Sequence, residues 1–195
     1  MSNVTHFKTA LAQAILIITP LLGHSAYSIK EQPEEHHTSA SNLLFTETEA
    51  HFMFAAAAIN LEEIQLGELA EQKGMATEVK ELGKMMEVAH HKFSDELTLL
   101  AKKKMITIPT LPTDEAQNAY IKLSSKSTTD FDTEYCNMVV NGHKQAIRMF
   151  EKAAKEFTDP DIKEWIIVTL PELRKHLAFA RKCQEKSGKI EITQE

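Results

Sequence analysis

The chain has 195 residues, of which 43% are hydrophobic, 26% charged and 7% aromatic, a composition typical of one domain with a substantial core. A formal net charge of -6, without a basic stripe interleaved with aromatic residues, argues against a nucleic-acid partner. Six glycines and six prolines give few turn signals, while Ala, Leu, Glu, Lys and Met dominate the long segments, so we expect an all-α protein.

The N-terminus has the features of an export signal. Lys8 gives a weakly positive start, the apolar run ALAQAILIITPLL follows it, and the small residues of AYS offer cleavage after Ala26 or Ser28. We predict a signal peptide over residues 1–28 and a periplasmic or outer-membrane-associated protein with no integral membrane domain after cleavage. An uncleaved membrane anchor is the alternative. Residues 29–45 are polar and predict a flexible linker.

Two long periodic segments come next and predict a helical hairpin. The first covers residues 46–73 and ends at Gly74, a natural C-terminal cap. Thr77 is a candidate N-cap for the second, which runs to about Lys103 and stops before TIPTLP.

A connection of roughly 25 residues, which is long by ordinary standards, leads to a second hairpin. It holds a predicted short helix at DEAQNAYIKLSS. The third long segment runs from Asp130 to Phe157, and TDPD turns the chain into a fourth that begins at Ile162. We therefore predict a four-helix bundle over residues 46–186, with a long connection between helices 2 and 3, and a C-terminal tail over residues 187–195.

Each predicted helix carries a stripe with steps of three and four residues, which is the pattern of a buried bundle seam. Helix by helix the stripes are Phe52, Ala56, Ile59, Glu63, Leu66 and Ala70; Met86, His90, Phe93, Leu97 and Leu100; Cys136, Val140, His143, Ile147, Phe150, Ala154 and Phe157; and Ile162, Ile166, Thr169, Leu173, His176, Ala180 and Cys183. Each stripe therefore places one ionisable residue in its seam.

Distances from the turns place these four residues at similar depth. Glu63 and His90 are symmetric about the first turn, and His143 and His176 are level across the second. Because the two pairs lie at comparable distances from their own turns, either relative direction of the hairpins could bring them together.

Ionisable groups in a core need a partner, and a metal ion would satisfy all of these at once. Neutral histidine nitrogens with one carboxylate suit zinc, iron or copper, and facing helices of a bundle are a known place for such sites. The sequence thus predicts a single transition metal bound by Glu63, His90, His143 and His176.

Glu87 is a further candidate ligand, because EVAH places Glu87 and His90 on one helix face. A dimetal carboxylate centre would need a second Glu-x-x-His pair, and the positions three before the other two histidines are Val140 and Leu173. The pattern therefore favours one metal ion over two.

A polar core without metal is the alternative. In that reading Glu63 accepts a hydrogen bond from His90, His143 and His176 bond each other, and the protein is a structural or interaction module whose polar core fixes helix register. No nucleophile arrangement and no phosphate-binding glycine loop appears, so enzymatic activity is left open. The partner is also left open, and a monomer and a homodimer are equally compatible with the sequence.

Cys136 and Cys183 lie in the same seams as His143 and His176, one heptad further from the turn, so they should face each other. An intrachain disulfide is one interpretation, which export would permit. Two buried free thiols are the other, because helix axes pack about 8–10 Å apart whereas a disulfide needs Cα atoms within about 7 Å.

Pro171 lies inside the last predicted helix, whose stripe runs through Thr169 without a phase break. It cannot donate a backbone hydrogen bond to Ile167, so we predict a continuous but kinked helix. TLPE also has the form of a capping box, with Thr169 and Glu172, which would end one helix and begin another.

Four segments carry a family resemblance: INLEEIQLGELAEQK, AHHKFSDEL, FDTEYCNMVVNGHKQAIRMFE and TLPELRKHLAFAR. Together, over about residues 46–185, they resemble the family called domain of unknown function 4142, a ferritin-like helical bundle of exported bacterial proteins. The resemblance implies this fold and export. The family's recurrent glutamate and three histidines fall on Glu63, His90, His143 and His176. Family members often have Asp directly before two of these histidines, where this chain has Ala89 and Gly142.

Overall fold

Five helices and no strand make up residues 40–192, the part of the chain that the computed structural model describes; side chains are described for residues 48–187 apart from Thr129. The helices are α1 (Ala40–Lys73), α2 (Thr77–Lys104), α3 (Asp114–Ser124), α4 (Thr128–Glu156) and α5 (Pro160–Ile192). The predicted all-α four-helix bundle is confirmed, and α3 occupies the predicted long connection. The predicted signal peptide lies outside the described residues.

Both outer helix ends extend further than the sequence pattern indicates. α1 begins at Ala40, inside the predicted linker, and α5 continues to Ile192, inside the predicted tail. The segment from residue 40 to residue 45 contains no proline or glycine, so its polarity alone does not stop a helix. At the other end, α5 passes through Gly188, because a single glycine in a helix costs only about 1 kcal/mol.

The turn between α1 and α2 is capped from a distant part of the chain. Thr77 is the first helical residue, and the N-cap position before it belongs to Ala76, whose side chain makes no capping hydrogen bond. Instead the Asp132 carboxylate of α4 accepts hydrogen bonds from the backbone N–H groups of Met75 and Ala76, at 3.0 and 2.8 Å. The predicted Thr77 cap is therefore wrong, because a tertiary contact supplies the acceptor.

Gly74 ends α1 by a different route from the predicted one. No glycine among the described residues has a positive φ, so Gly74 does not form the left-handed cap. A Cβ at this position would lie 2.6 Å from the Ala70 carbonyl oxygen and 2.7 Å from Val79 Cγ1. Close packing at the turn, rather than backbone freedom, is what requires glycine here.

Hydrogen bonds and ion pairs at the two ends of the bundle show the relative direction of the hairpins. Asp132, at the start of α4, binds the α1–α2 turn, and Lys186, near the end of α5, pairs with Glu78 at 2.5 Å. At the opposite end, Lys104 of α2 pairs with Asp159 of the α4–α5 turn at 2.5 Å. The two turns thus lie at opposite ends, α2 runs parallel to α4, and the connection that contains α3 spans the length of the bundle.

The core consists of two apolar clusters with a polar layer between them. One cluster lies towards the α4–α5 turn and includes Phe52, Phe93, Phe150, Phe157 and Trp165. The other lies towards the α1–α2 turn and includes Leu66, Leu82, Met86, Phe131 and Tyr135. Between members of the two clusters lie Asn60 and Glu63 of α1, His90 of α2, His143 of α4 and His176 of α5, so the histidines occupy the middle of the bundle.

α5 is helical without a break from Pro160 to Ile192 and contains Pro171. The capping-box alternative with Thr169 and Glu172 is therefore wrong, while the size of the predicted kink stays a prediction. Pro171 is exposed, as is the side chain of Ile167, so the proline lies on the outer face of the helix. No helix of the described chain combines the length and the apolar character needed to span a membrane.

Candidate metal centre

Three histidines from three different helices meet in the middle of the bundle. His90 of α2, His143 of α4 and His176 of α5 are at most 3% exposed, and one ligand nitrogen from each lies within 4.8 Å of the others. Their ring centroids are 5.3 to 5.6 Å apart. We call these three residues the histidine triad.

His90 presents a free nitrogen to the interior of the triad. Its Nδ1 donates a hydrogen bond to Asn60 Oδ1 at 2.9 Å, while its buried Nε2 has no hydrogen-bond partner among the described residues. Burial, followed by the charges of His143 and His176, holds the pKa of His90 well below its ordinary value. The ring is therefore neutral, and the lone pair of Nε2 is available to a metal ion.

His143 is held by acceptors on its outer side. Its Nδ1 donates a hydrogen bond to the Val139 carbonyl oxygen at 3.0 Å and lies 3.4 Å from Glu63 Oε1. Burial alone would lower the pKa of His143, but the Glu63 carboxylate and the Val139 carbonyl favour the protonated ring and raise it above its ordinary value.

His176 completes the triad from the other side of the second hairpin. Its Nδ1 lies 3.3 Å from His143 Nε2. Burial and the neighbouring charge of His143 lower the pKa of His176 to about 4, so this ring is neutral at physiological pH. A protonated His143 donates its Nε2 hydrogen to His176 Nδ1, and a metal ion would have to displace that proton.

Glu63 lies beside the triad rather than within it. It is 6% exposed, and its Oε1 approaches the outer nitrogen of His143, not the inner one that faces His176. Its Oε2 is buried without a hydrogen-bond partner in the described chain. Of the four predicted ligands, the structure thus brings three histidines together and places the glutamate where it orients one of them.

Glu87 is not part of the triad. Its carboxylate pairs with Lys84 at 2.7 Å, and it forms a second, more exposed group with Glu68 and His91. Glu87 lies three residues before His90, but it is only partly buried whereas His90 is fully buried.

Asn60 is a residue of this site that the sequence pattern did not indicate. Gly67 and Gly83 face each other across the α1–α2 interface, since a Cβ on Gly67 would lie 2.7 Å from the Gly83 carbonyl oxygen. Asn60 and His90 each lie one heptad further from the turn, so the same register pairs them. The two facing glycines in the middle of α1 and α2 are the signal from which Asn60, rather than Glu63, could have been predicted as the partner of His90.

Cys136 and Cys183 face each other at disulfide distance, with Cα atoms 6.0 Å apart. They lie one heptad from His143 and His176, which is about 10 Å of helical rise. Neither sulfur therefore belongs to the triad. The predicted level pairing of α4 and α5 is confirmed both at the cysteines and at the histidines.

Fold and site together define a four-helix bundle whose central layer holds three buried histidines. The chain belongs to the family described as Domain of unknown function (DUF4142), whose sequence model matches residues 34–183. A comparison with curated proteins finds no match, and a comparison with solved structures finds none either.

Proposed function

We propose that this protein is an exported helical bundle that binds one transition metal ion, zinc, iron or copper, through His90, His143 and His176. The observation that carries the proposal is the approach of three buried imidazole nitrogens to within 4.8 Å of one another. Imidazole is a preferred ligand of all three metals. The unpartnered Nε2 of His90 fits this role, since a buried nitrogen without a partner is otherwise costly.

Residues on α1 support the triad from outside. Asn60 accepts from the outer nitrogen of His90, and Glu63 lies against the outer nitrogen of His143. Such partners fix the tautomer and the orientation of ligating histidines and make them better donors. Three protein ligands leave the fourth position of a tetrahedral ion for water or for another small ligand. Catalytic zinc sites have this arrangement, whereas structural zinc sites use four protein ligands.

The cysteine pair supports export. Disulfides persist in oxidising compartments such as the periplasm and are rare in the cytosol. A disulfide between Cys136 and Cys183 would therefore accompany the predicted signal peptide, and we infer a periplasmic or outer-membrane-associated protein.

A second candidate is a structural or interaction module with a metal-free polar core. The contacts that favour it are the hydrogen bond between His143 and His176 at 3.3 Å and the pairing of His143 with Glu63 at 3.4 Å. Both contacts satisfy buried polar groups without an ion and would fix helix register. This arrangement still leaves His90 Nε2 without a partner, which the metal site does not.

Metal content of the purified protein separates the two candidates. After incubation with zinc, iron or copper and removal of loose ions, we expect close to one equivalent of metal in the wild type and a loss of most of it in His176→Ala. The matched control is His91→Ala, which removes the exposed imidazole next to His90 and should retain the metal. Absence of metal after reconstitution with all three ions would favour the metal-free module.

A further inference from the structure

An open cleft separates α1 from α4 beside the triad. Its volume is about 550 Å³, and Glu62, Glu63, Glu134, Asn137, Asn141 and Gln145 are among the residues that line it. The other face of α1 is closed, because Gly67 and Gly83 bring the backbones of α1 and α2 together. The cleft therefore reaches from solvent to Glu63, beside the triad, on the α1–α4 side of the bundle.

Glu63 connects this cleft to the triad. One carboxylate oxygen, Oε1, lies 3.4 Å from His143 Nδ1. The other, Oε2, is buried, lacks a hydrogen-bond partner among the described residues, and belongs to a side chain that lines the cleft. Gly142 adds no side chain here, and a Cβ on it would lie 3.4 Å from Glu63 Oε1. A carboxylate oxygen is thus left for a ligand at the inner end of the cleft.

The charge of the cleft selects the class of ligand. Three glutamates line it together with three side-chain amides, and no lysine or arginine is among its lining residues. The cationic neighbour of Glu134 is the exposed Lys122, whose Nζ lies 3.9 Å from Glu134 Oε1. Carboxylate and amide oxygens suit a hydrated cation, and a cleft lined by one sign of charge raises the local concentration of the opposite ion.

We propose that the α1–α4 cleft is the entry site for the metal ion, which binds first to Glu62 and Glu63 as a hydrated divalent cation and then passes to the histidine triad. This inference rests on the proposed metal-binding function. Glu134 attracts the ion at the outer end of the cleft, and Glu63, which contacts both the cleft and His143, is the side chain at which the ion exchanges oxygen ligands for imidazole.

Binding kinetics test this route. Cobalt(II) absorption would be followed after rapid mixing with metal-free protein, and dissociation would be followed after adding a chelator. In Glu62→Gln/Glu134→Gln we expect both the association and the dissociation rate to fall by about tenfold. The equilibrium dissociation constant should change much less than either rate, because the three histidine ligands stay in place.

The matched control is Glu96→Gln/Glu164→Gln, which changes the net charge equally at the α2–α5 groove and should keep wild-type rates. Equal rates in the cleft variant and the wild type, or equal slowing in both double variants, would overturn the entry site while leaving the metal centre intact. If the wild type binds neither cobalt nor any of zinc, iron and copper, the metal centre and the entry site are both wrong.

Discussion

At the scale of single residues, the three histidines of the triad differ in what surrounds their outer nitrogens. His90 faces a neutral amide, whereas His143 faces a carboxylate and a carbonyl. The pKa of His143 is consequently raised, while burial lowers those of His90 and His176. A protonated His143 donates its Nε2 hydrogen to His176 Nδ1, 3.3 Å away, between two of the proposed metal ligands.

The metal-free protein should lose stability as the pH falls from 6.5 towards 4. The folded protein lowers the pKa values of His90 and His176, so their contribution to the free energy of unfolding is fully present above pH 6.5. This contribution is lost as the pH falls, in the case of His176 through about pH 4. His143 has a raised pKa, so its contribution is present below pH 6.5 and is lost as pH rises through its folded value. Below pH 6.5 the contribution of His143 is already present, so the change in stability there follows the two lowered pKa values.

Urea unfolding in the presence of a chelator, at pH 7 and at pH 4.5, measures this dependence. The share of His176 amounts to about 3 kcal/mol over the full range. His176→Gln should lose that share and show a smaller decrease than the wild type. An equal decrease in the two proteins would contradict the neutral, buried state of His176.

Asn60→Leu should weaken metal binding without removing a ligand. The change leaves the His90 Nδ1 hydrogen without its acceptor, and loss of such an outer partner lowers metal affinity by about 10- to 100-fold. Competition with a chromophoric chelator gives the affinity. Asn118→Leu, at an exposed position of α3, is the control and should bind as the wild type does; equal affinity in Asn60→Leu would mean that Asn60 does not orient His90.

At the scale of helices, the α1–α2 interface depends on two glycines. Gly67→Ala should lower the free energy of unfolding by about 1–3 kcal/mol, because its Cβ would lie 2.7 Å from the Gly83 carbonyl oxygen and 3.0 Å from the Glu87 nitrogen. Backbone atoms cannot rotate away, so the helices must separate. Chemical denaturation provides the measurement.

Gly142→Ala is the matched control for that prediction. Its Cβ would meet only Glu63 Oε1, at 3.4 Å, and alanine is the better helix former by about 1 kcal/mol. We expect the stability of this variant to be unchanged or raised. A Gly67→Ala protein as stable as Gly142→Ala would show that the two helices are not held at close approach.

Sequence alone predicts the helices and the α4–α5 register but not the α1–α2 register. His143, His176 and the two cysteines follow from stripes of three and four residues, because both helices of that hairpin have an unbroken apolar seam. The first hairpin contains Gly67 and Gly83, whose contact shifts the pairing from Glu63 to Asn60. Close backbone approach has no hydrophobic periodicity, so the stripe could not reveal it.

At the scale of the whole molecule, the sequence segments that mark the family have different physical roles. In the Phe-Asp-x-x-Tyr segment, Phe131 and Tyr135 are fully buried and their rings stack at 6.2 Å. Asp132 binds the backbone of the α1–α2 turn. This segment therefore joins the two hairpins, whereas the Thr-Leu-Pro segment supplies His176 to the triad.

A disulfide between Cys136 and Cys183 would also join distant parts of the chain. It would close a loop with a sequence separation of 47, for which the chain-entropy relation gives about 4 kcal/mol of stabilisation. The Cys136→Ala/Cys183→Ala protein should lose about this amount in urea unfolding. Thiol titration of denatured, unreduced wild-type protein should find no reactive thiol, and two per chain would mean that the bridge does not form.

X-ray absorption at the metal edge of zinc-loaded protein decides whether the triad is a metal centre, because it recognises imidazole rings by their scattering and sulfur by its longer bond. We predict three imidazole nitrogens at about 2.0–2.1 Å from the zinc ion and no sulfur at about 2.3 Å. A first shell made of oxygen alone, a shell that contains sulfur, or a protein that retains none of zinc, iron and copper would contradict a metal centre formed by His90, His143 and His176.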